Sequence, residues 1–242
     1  MIRSDRKTWS FAIVLALSVF AFARVEGQST SDTVKPAPRK DKWWQDMHGR
    51  FLERAKQGNV DVLFLGDSIT QGWAGSGNEV WKERFEPLKS ANFGIGGDQT
   101  QHVLWRLQDG KELEGISPKV IVLMIGTNNT ARNSAEQIAE GVTAIVHELT
   151  KQAPQGKVLL LGVFPRSPKP SDPVRGKIKG INERIAKLDD GKQVRYLDIG
   201  DKFLKSDGTL TKEIMPDYLH LSKQGYQIWA DAIQPSLADM MK

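Results

Sequence analysis

The stretch Val62-Leu63-Phe64-Leu65-Gly66-Asp67-Ser68-Ile69-Thr70 decides how this chain is read. Four consecutive apolar residues leave no polar face, which is the pattern of a strand buried on both sides in a parallel sheet. The sequence then turns at Gly66-Asp67-Ser68, so Ser68 falls just past a strand end, where an open parallel sheet exposes its ligand site. Runs at 60–66, 91–94, 120–125, 158–163 and 194–198 read as five such strands, separated by amphipathic stretches. The clearest helix follows Ser134, which forms a capping-box pattern with Gln137, and Ile138, Val142, Ile145, Val146 and Leu149 line one face. Asp172 before Pro173 starts another, and Ser222 caps the last, with Tyr226, Trp229, Ala230 and Ile233 facing the sheet. Alternation of parallel strands and helices predicts an α/β fold, a three-layer α/β/α sandwich with right-handed crossovers. The loops after the strands then gather at one edge, at 67–77, 95–100, 126–132, 164–172 and the segment leading to His220.

With 242 residues, 39% hydrophobic and 26% charged, the chain can bury one good-sized core. Arg3, Arg6 and Lys7 precede the apolar stretch 9–23, and small residues offer cleavage after Ala23 or Gly27. That is the layout of a secretory signal peptide over residues 1–27, so export to the periplasm or the extracellular space is expected, with an uncleaved membrane anchor as the alternative. Residues 28–41, rich in Ser, Thr, Pro and Lys, read as a flexible spacer, and 42–242 as one catalytic domain. Without residues 1–27 the formal charge falls from +5 to +3, with no dense basic block, which gives little support for nucleic-acid binding. The absence of cysteine excludes disulfides, thiolate metal sites and a cysteine nucleophile.

The chemistry-bearing residues fall in the loops at that one edge. A serine hydroxyl needs a base within hydrogen-bond reach and a third group that fixes the base's tautomer. Asp217-Tyr218-Leu219-His220 offers both, although Asp217 could instead cap the turn after Pro216, and Ser68 could be an ordinary N-cap. Of the other histidines, His48 lies in a polar region, His147 falls within the amphipathic helix, and His102 is the closer rival, following the glycine loop Gly94-Ile95-Gly96-Gly97. That loop lacks the third glycine of a dinucleotide fingerprint and no P-loop lysine follows. A backbone N–H at Gly96 and the Asn128 amide, in Gly126-Thr127-Asn128-Asn129, read as oxyanion donors, with turn roles as their alternatives. No ligand spacing for a metal occurs. Trp73, five residues after Ser68, can stack on a ring or hold a cationic head group, or simply pack. Arg166 is a candidate anion contact, as are Lys169 and Arg175.

Gly66-Asp67-Ser68, the Gly96 loop, Gly126-Thr127-Asn128-Asn129 and Asp217-Tyr218-Leu219-His220 occur in the order of the SGNH (GDSL) hydrolase family, which the chain resembles over roughly residues 60–235. The segments around Asn92–Leu107, Pro165-Arg166 and Met215–Leu221 are most similar to the catalytic subunits of intracellular platelet-activating factor acetylhydrolase. The resemblance implies a flavodoxin-like sheet and ester hydrolysis without a cofactor. It assigns Ser68 as nucleophile, His220 as base, Asp217 as its partner, and the Ser68 and Gly96 N–H groups with Asn128 as the oxyanion hole. It also implies a homodimer. Export separates this chain from a cytosolic phospholipid enzyme, and many exported members of the family deacetylate carbohydrates. The reading is therefore an exported serine esterase for small-acyl, chiefly acetyl, esters of a small molecule or polysaccharide. The alternatives are a phospholipid acetylhydrolase and a non-catalytic carbohydrate-binding module.

Overall fold

The computed structural model describes residues 31–242 together with Met1. The signal expected over 1–27, apart from Met1, and the first part of the expected spacer, 28–30, lie outside the described residues. Five strands form one parallel sheet: β1 Val62–Gly66, β2 Ser90–Gly94, β3 Val120–Met124, β4 Lys157–Leu161 and β5 Val194–Leu197. Their order is β2-β1-β3-β4-β5, the flavodoxin-like arrangement, with its reversal of winding beside β1.

The α-helices are α1 Lys42–Lys56, α2 Ser68–Gln71, α3 Asn78–Arg84, α4 Thr100–Gln108, α5 Ala135–Gln152, α6 Pro173–Ile185 and α7 Lys223–Met240. Alternate strand residues divide the core into two layers. Leu63, Leu65, Ile121, Leu123, Val158 and Leu160 pack with buried residues of α1, α4, α5 and α6. Val62, Phe64, Val120, Val122, Leu159 and Leu161 pack with α2, α3 and α7. Both faces are covered, which is why β1 and β3 carry apolar residues at nearly every position.

The capping signals act at the helix starts. Ser134 Oγ accepts the Gln137 N–H at 3.2 Å while Gln137 Oε1 accepts the Ser134 N–H at 3.0 Å, and Ser222 Oγ accepts the Gly225 N–H at 3.2 Å. Asp172 precedes α6 as expected, but its carboxylate accepts the Lys169 N–H at 3.0 Å and not a helix N–H.

The described part of the expected spacer is not a free linker. Thr33 is buried and donates to the Gln137 carbonyl at 2.6 Å, the Ala37 N–H donates to the Gln101 carbonyl at 3.1 Å, and Arg39 Nη1 donates to the Gly96 carbonyl at 2.6 Å. A segment that composition reads as flexible instead supplies donors to backbone acceptors of α4, α5 and the glycine loop. Asp41 then caps α1 by accepting the Trp44 N–H at 3.0 Å.

Strand register sets where the site is built. Gly66 at the end of β1 pairs with Gly94 on one side and Met124 on the other, so three strands finish level. A Cβ on Gly94 would fall 2.2 Å from the Gln71 backbone nitrogen, so only glycine lets α2 rest on the end of β2. Beneath the following loop lies a buried ionic cluster. Arg106, fully buried on α4, donates to Asp98 at 2.9 Å, to Glu112 at 2.7 Å and to the Phe93 carbonyl at 2.6 Å. Trp44 Nε1 donates to Asp98 at 2.7 Å, and His48 Nδ1 lies 2.7 Å from Glu112. Removing the central cation leaves two carboxylates buried and unbalanced. Arg106→Met is therefore expected to lower the unfolding free energy by about 3–5 kcal/mol, read from urea denaturation midpoints.

Candidate active site

Ser68 opens α2 directly beyond β1, so its backbone N–H has no partner within the helix. Its Oγ lies 2.9 Å from His220 Nε2. His220 Nδ1 lies 2.6 Å from Asp217 Oδ2. The structure thus brings the hydroxyl, imidazole and carboxylate into one hydrogen-bonded row, although Ser68 and His220 are 152 residues apart.

A local turn builds the distal half of that row. Tyr218 has φ 59°, a left-handed backbone that bends the segment sharply between Asp217 and His220. Asp217 Oδ1 then accepts the Leu219 and His220 N–H groups at 3.0 and 2.7 Å, leaving Oδ2 for the imidazole. Asp217 therefore does both things the sequence allowed, capping its turn and holding the ring. Partial burial pushes its carboxyl up, but the bonds from the His220 ring and the two backbone N–H groups outweigh this and hold it below the usual carboxylate value. The side chains of His220 and Asp217 are 45% and 55% exposed, so the row stands at an open rim.

Gly96 lies beside this row, where a Cβ built on it would fall 3.6 Å from Ser68 Cβ, and Asn128 lies against the end of the glycine loop at Asp98; each has a prior engagement. The Gly96 N–H donates to Gln71 Oε1 at 2.9 Å, so it meets a substrate oxygen only when Gln71 turns aside. Asn128 Nδ2 donates to the Asp98 carbonyl at 2.9 Å, and an amide nitrogen carries a second hydrogen for another acceptor. Arg166 reaches across from the loop after β4, with Nη1 3.5 Å from Thr127 Oγ1.

Trp73 is not at the site. It is fully buried among Phe64, Trp81, Phe85, Tyr226 and Trp229 in the α3–α7 layer, and no substrate ring can stack on it. Five residues past Ser68 the chain has already turned down from α2 into the core. His102 is turned aside as well: its Nδ1 accepts the Gln99 N–H at 3.0 Å. Burial and the nearby Arg39 and Arg106 cations bring its pKa down to about 4. His147 is exposed on α5.

Sequence reasoning missed Gln71, Asp98 and Arg39. Asp98 is buried, binds Trp44 and Arg106 through its carboxylate, and receives Asn128 on its carbonyl. The available signal was Asp41 followed by Trp43-Trp44, a cap ahead of an aromatic pair at a helix start.

The profile of the GDSL-like lipase/acylhydrolase family matches residues 64–228, from β1 into α7. The chain belongs to this family. It is 42% identical over 207 residues to platelet-activating factor acetylhydrolase IB subunit alpha1 of Rattus norvegicus, covering 84% of this chain and 87% of that one. It is 46% identical over 187 residues to the alpha2 subunit of the same organism, covering 77% and 80%. An acetylxylan esterase structure from Geobacillus stearothermophilus shares the fold, with a TM-score of 0.60 at 18% identity, covering 74% of this chain and 94% of that one. This family member is a carboxylic ester hydrolase. The expected export is corrected by these relatives, which are subunits of the intracellular acetylhydrolase named in the sequence reading. Among the described residues no helix is long and apolar enough to cross a membrane.

Asp67, between β1 and Ser68, gives the site a pH signature. Its Oδ1 accepts the Ile69 N–H at 2.9 Å, while Oδ2 is buried with no partner among the described residues. Burial raises its pKa to about 7. The folded chain then binds a proton that the unfolded chain, with a value of about 3.9, has released. This stability is fully present below about pH 4 and is lost as pH rises through about 7. Asp67→Asn keeps the acceptor for Ile69 and removes the titration. Urea midpoints taken between about pH 4 and about pH 7 are expected to fall more steeply in the wild type than in this variant.

Proposed function

We propose that this chain is a serine esterase that releases a small acyl group, acetate above all, through an acyl-enzyme. The observation that carries the reading is the continuous row Ser68 Oγ, His220, Asp217, with contacts of 2.9 and 2.6 Å. His220 Nε2 takes the hydroxyl proton as Ser68 Oγ bonds to the ester carbonyl carbon. Charge develops on the carbonyl oxygen, where the Ser68 and Gly96 N–H groups and the second hydrogen of Asn128 are assigned as donors. Collapse of the tetrahedral adduct expels the alcohol oxygen, which takes the proton from His220. Water then attacks the acyl-enzyme by the same route, releases the carboxylic acid and restores the hydroxyl. Asp217 remains ionised throughout and holds the ring with Nε2 toward the serine.

The acetyl preference is supported by the acetylhydrolase subunits matched at 42% and 46% identity. The same names support the phospholipid acetylhydrolase reading of the alcohol. A carbohydrate alcohol rested partly on export and retains only the fold shared with the acetylxylan esterase, at 18% identity.

A fluorophosphonate probe is expected to label the wild type and to leave Ser68→Ala unlabelled. Labelling that persists in Ser68→Ala would remove the nucleophile assignment. Asn128→Ala is expected to lower kcat by about 10²–10³-fold with a smaller change in KM. In the wild type, kcat/KM for acetyl esters is expected to exceed that for decanoyl esters of the same alcohol. Equal values would end the small-acyl assignment and leave the nucleophile untouched.

A further inference from the structure

Apart from Met1, Trp43 is the exposed large apolar side chain among the described residues, at 47%. A single exposed aromatic needs no explanation by itself. Its place does. A Cβ built on Gly96 would lie 3.6 Å from Trp43 Cη2 and 3.6 Å from Ser68 Cβ. The benzo edge of the indole therefore stands over Gly96 on the side that Ser68 Cβ also faces.

The ring is held from both ends of its neighbourhood. The next residue, Trp44, is buried with Nε1 on Asp98 at 2.7 Å, which anchors the first turn of α1. The Arg39 guanidinium lies 5.9 Å from the Trp43 ring centroid, donates to the Gly96 carbonyl at 2.6 Å and pairs with Asp41 at 3.0 Å. One arginine thus fixes the glycine loop and the indole relative to each other. An exposed apolar surface so placed gains free energy when a bound molecule covers it.

We propose that Trp43 is a substrate-contacting residue, the platform on which the alcohol half of the ester lies, and that this alcohol carries an uncharged ring. The proposal rests on the serine esterase reading and names the substrate class of that site. The alcohol half is assigned because the indole is half open to solvent, as suits the larger part of a substrate whose acyl group is small. A cationic head group is disfavoured because the Arg39 guanidinium already lies near the ring. A pyranose and an arene share the required flat apolar face.

The test compares wild type, Trp43→Ala and Trp43→Phe on three acetate esters: 4-nitrophenyl acetate, an acetylated methyl pyranoside and ethyl acetate. The readout is the ratio of kcat/KM for each ring ester to that for ethyl acetate. That ratio is expected to fall about tenfold in Trp43→Ala and to be largely retained in Trp43→Phe. A fall confined to the pyranoside assigns a sugar, and one confined to the nitrophenyl ester assigns an arene. An unchanged ratio overturns the proposal, as does an equal loss on all three esters accompanied by a change in oligomeric state. Both of those results leave Ser68 labelling intact. Absence of labelling and of acetate release in the wild type would instead remove the esterase reading, and this inference with it.

Discussion

The level register of β1 with β2 and β3 is the constraint on which the site depends. Because Gly66 pairs with Gly94 and Met124 at once, the chain leaves three neighbouring strands at the same height. Ser68, Gly96 and Asn128 each follow one of these exits by two to four residues, so all three fall in loops at the same edge of the sheet. Side chains on different loops would otherwise need long-range packing to meet. A slip of one residue in either pairing would turn every side chain of that strand to the opposite face and lift one member out of the group. The core enforces the register, since Leu63 and Leu65 belong to one layer and Val62 and Phe64 to the other.

The glycine loop after β2 has little side-chain mass of its own, and its conformation is held from below and from the side. Asp98 ends the loop and is the hub: its carboxylate meets Trp44 and Arg106, and its carbonyl receives Asn128. Arg106 in turn ties α4 to β2 through the Phe93 carbonyl. Buried charges are a poor source of net stability, but a fully paired set admits few alternative arrangements. The segment from Ser31 to Asp41 completes the frame by bringing Arg39 onto Gly96. What composition reads as a linker is therefore part of the wall beside Gly96.

His220 arrives differently. Asp217 and His220 are the ends of a four-residue turn, so their 2.6 Å contact is local and travels with the segment. The left-handed Tyr218 that shapes this turn costs some backbone free energy, which the two N–H bonds to Asp217 offset. Delivery of that preassembled pair to Ser68 is the long-range step. Packing of α7 against the sheet performs it, through Tyr226, Trp229 and Ile233 in the core and the Tyr226 hydroxyl on the Ile69 carbonyl at 2.7 Å.

The sequence by itself determined the five strands, the parallel α/β sandwich, the caps at Ser134 and Ser222, and the pairing of Asp217 with His220. These rest on short-range rules, since apolar runs, capping boxes and the Asp-x-x-His spacing act within a few residues. Tertiary structure decided what depends on direction. Trp73 and Trp43 are both tryptophans at the start of a helical segment, yet one is buried in an aromatic core against α3 and α7 and the other is exposed beside Gly96, because only tertiary packing sets which side of each helical segment meets the sheet. It also decided that Gln71 engages Gly96 and that Arg39 reaches the same loop. Those contacts join residues 25 and 57 positions apart, and no local periodicity records them.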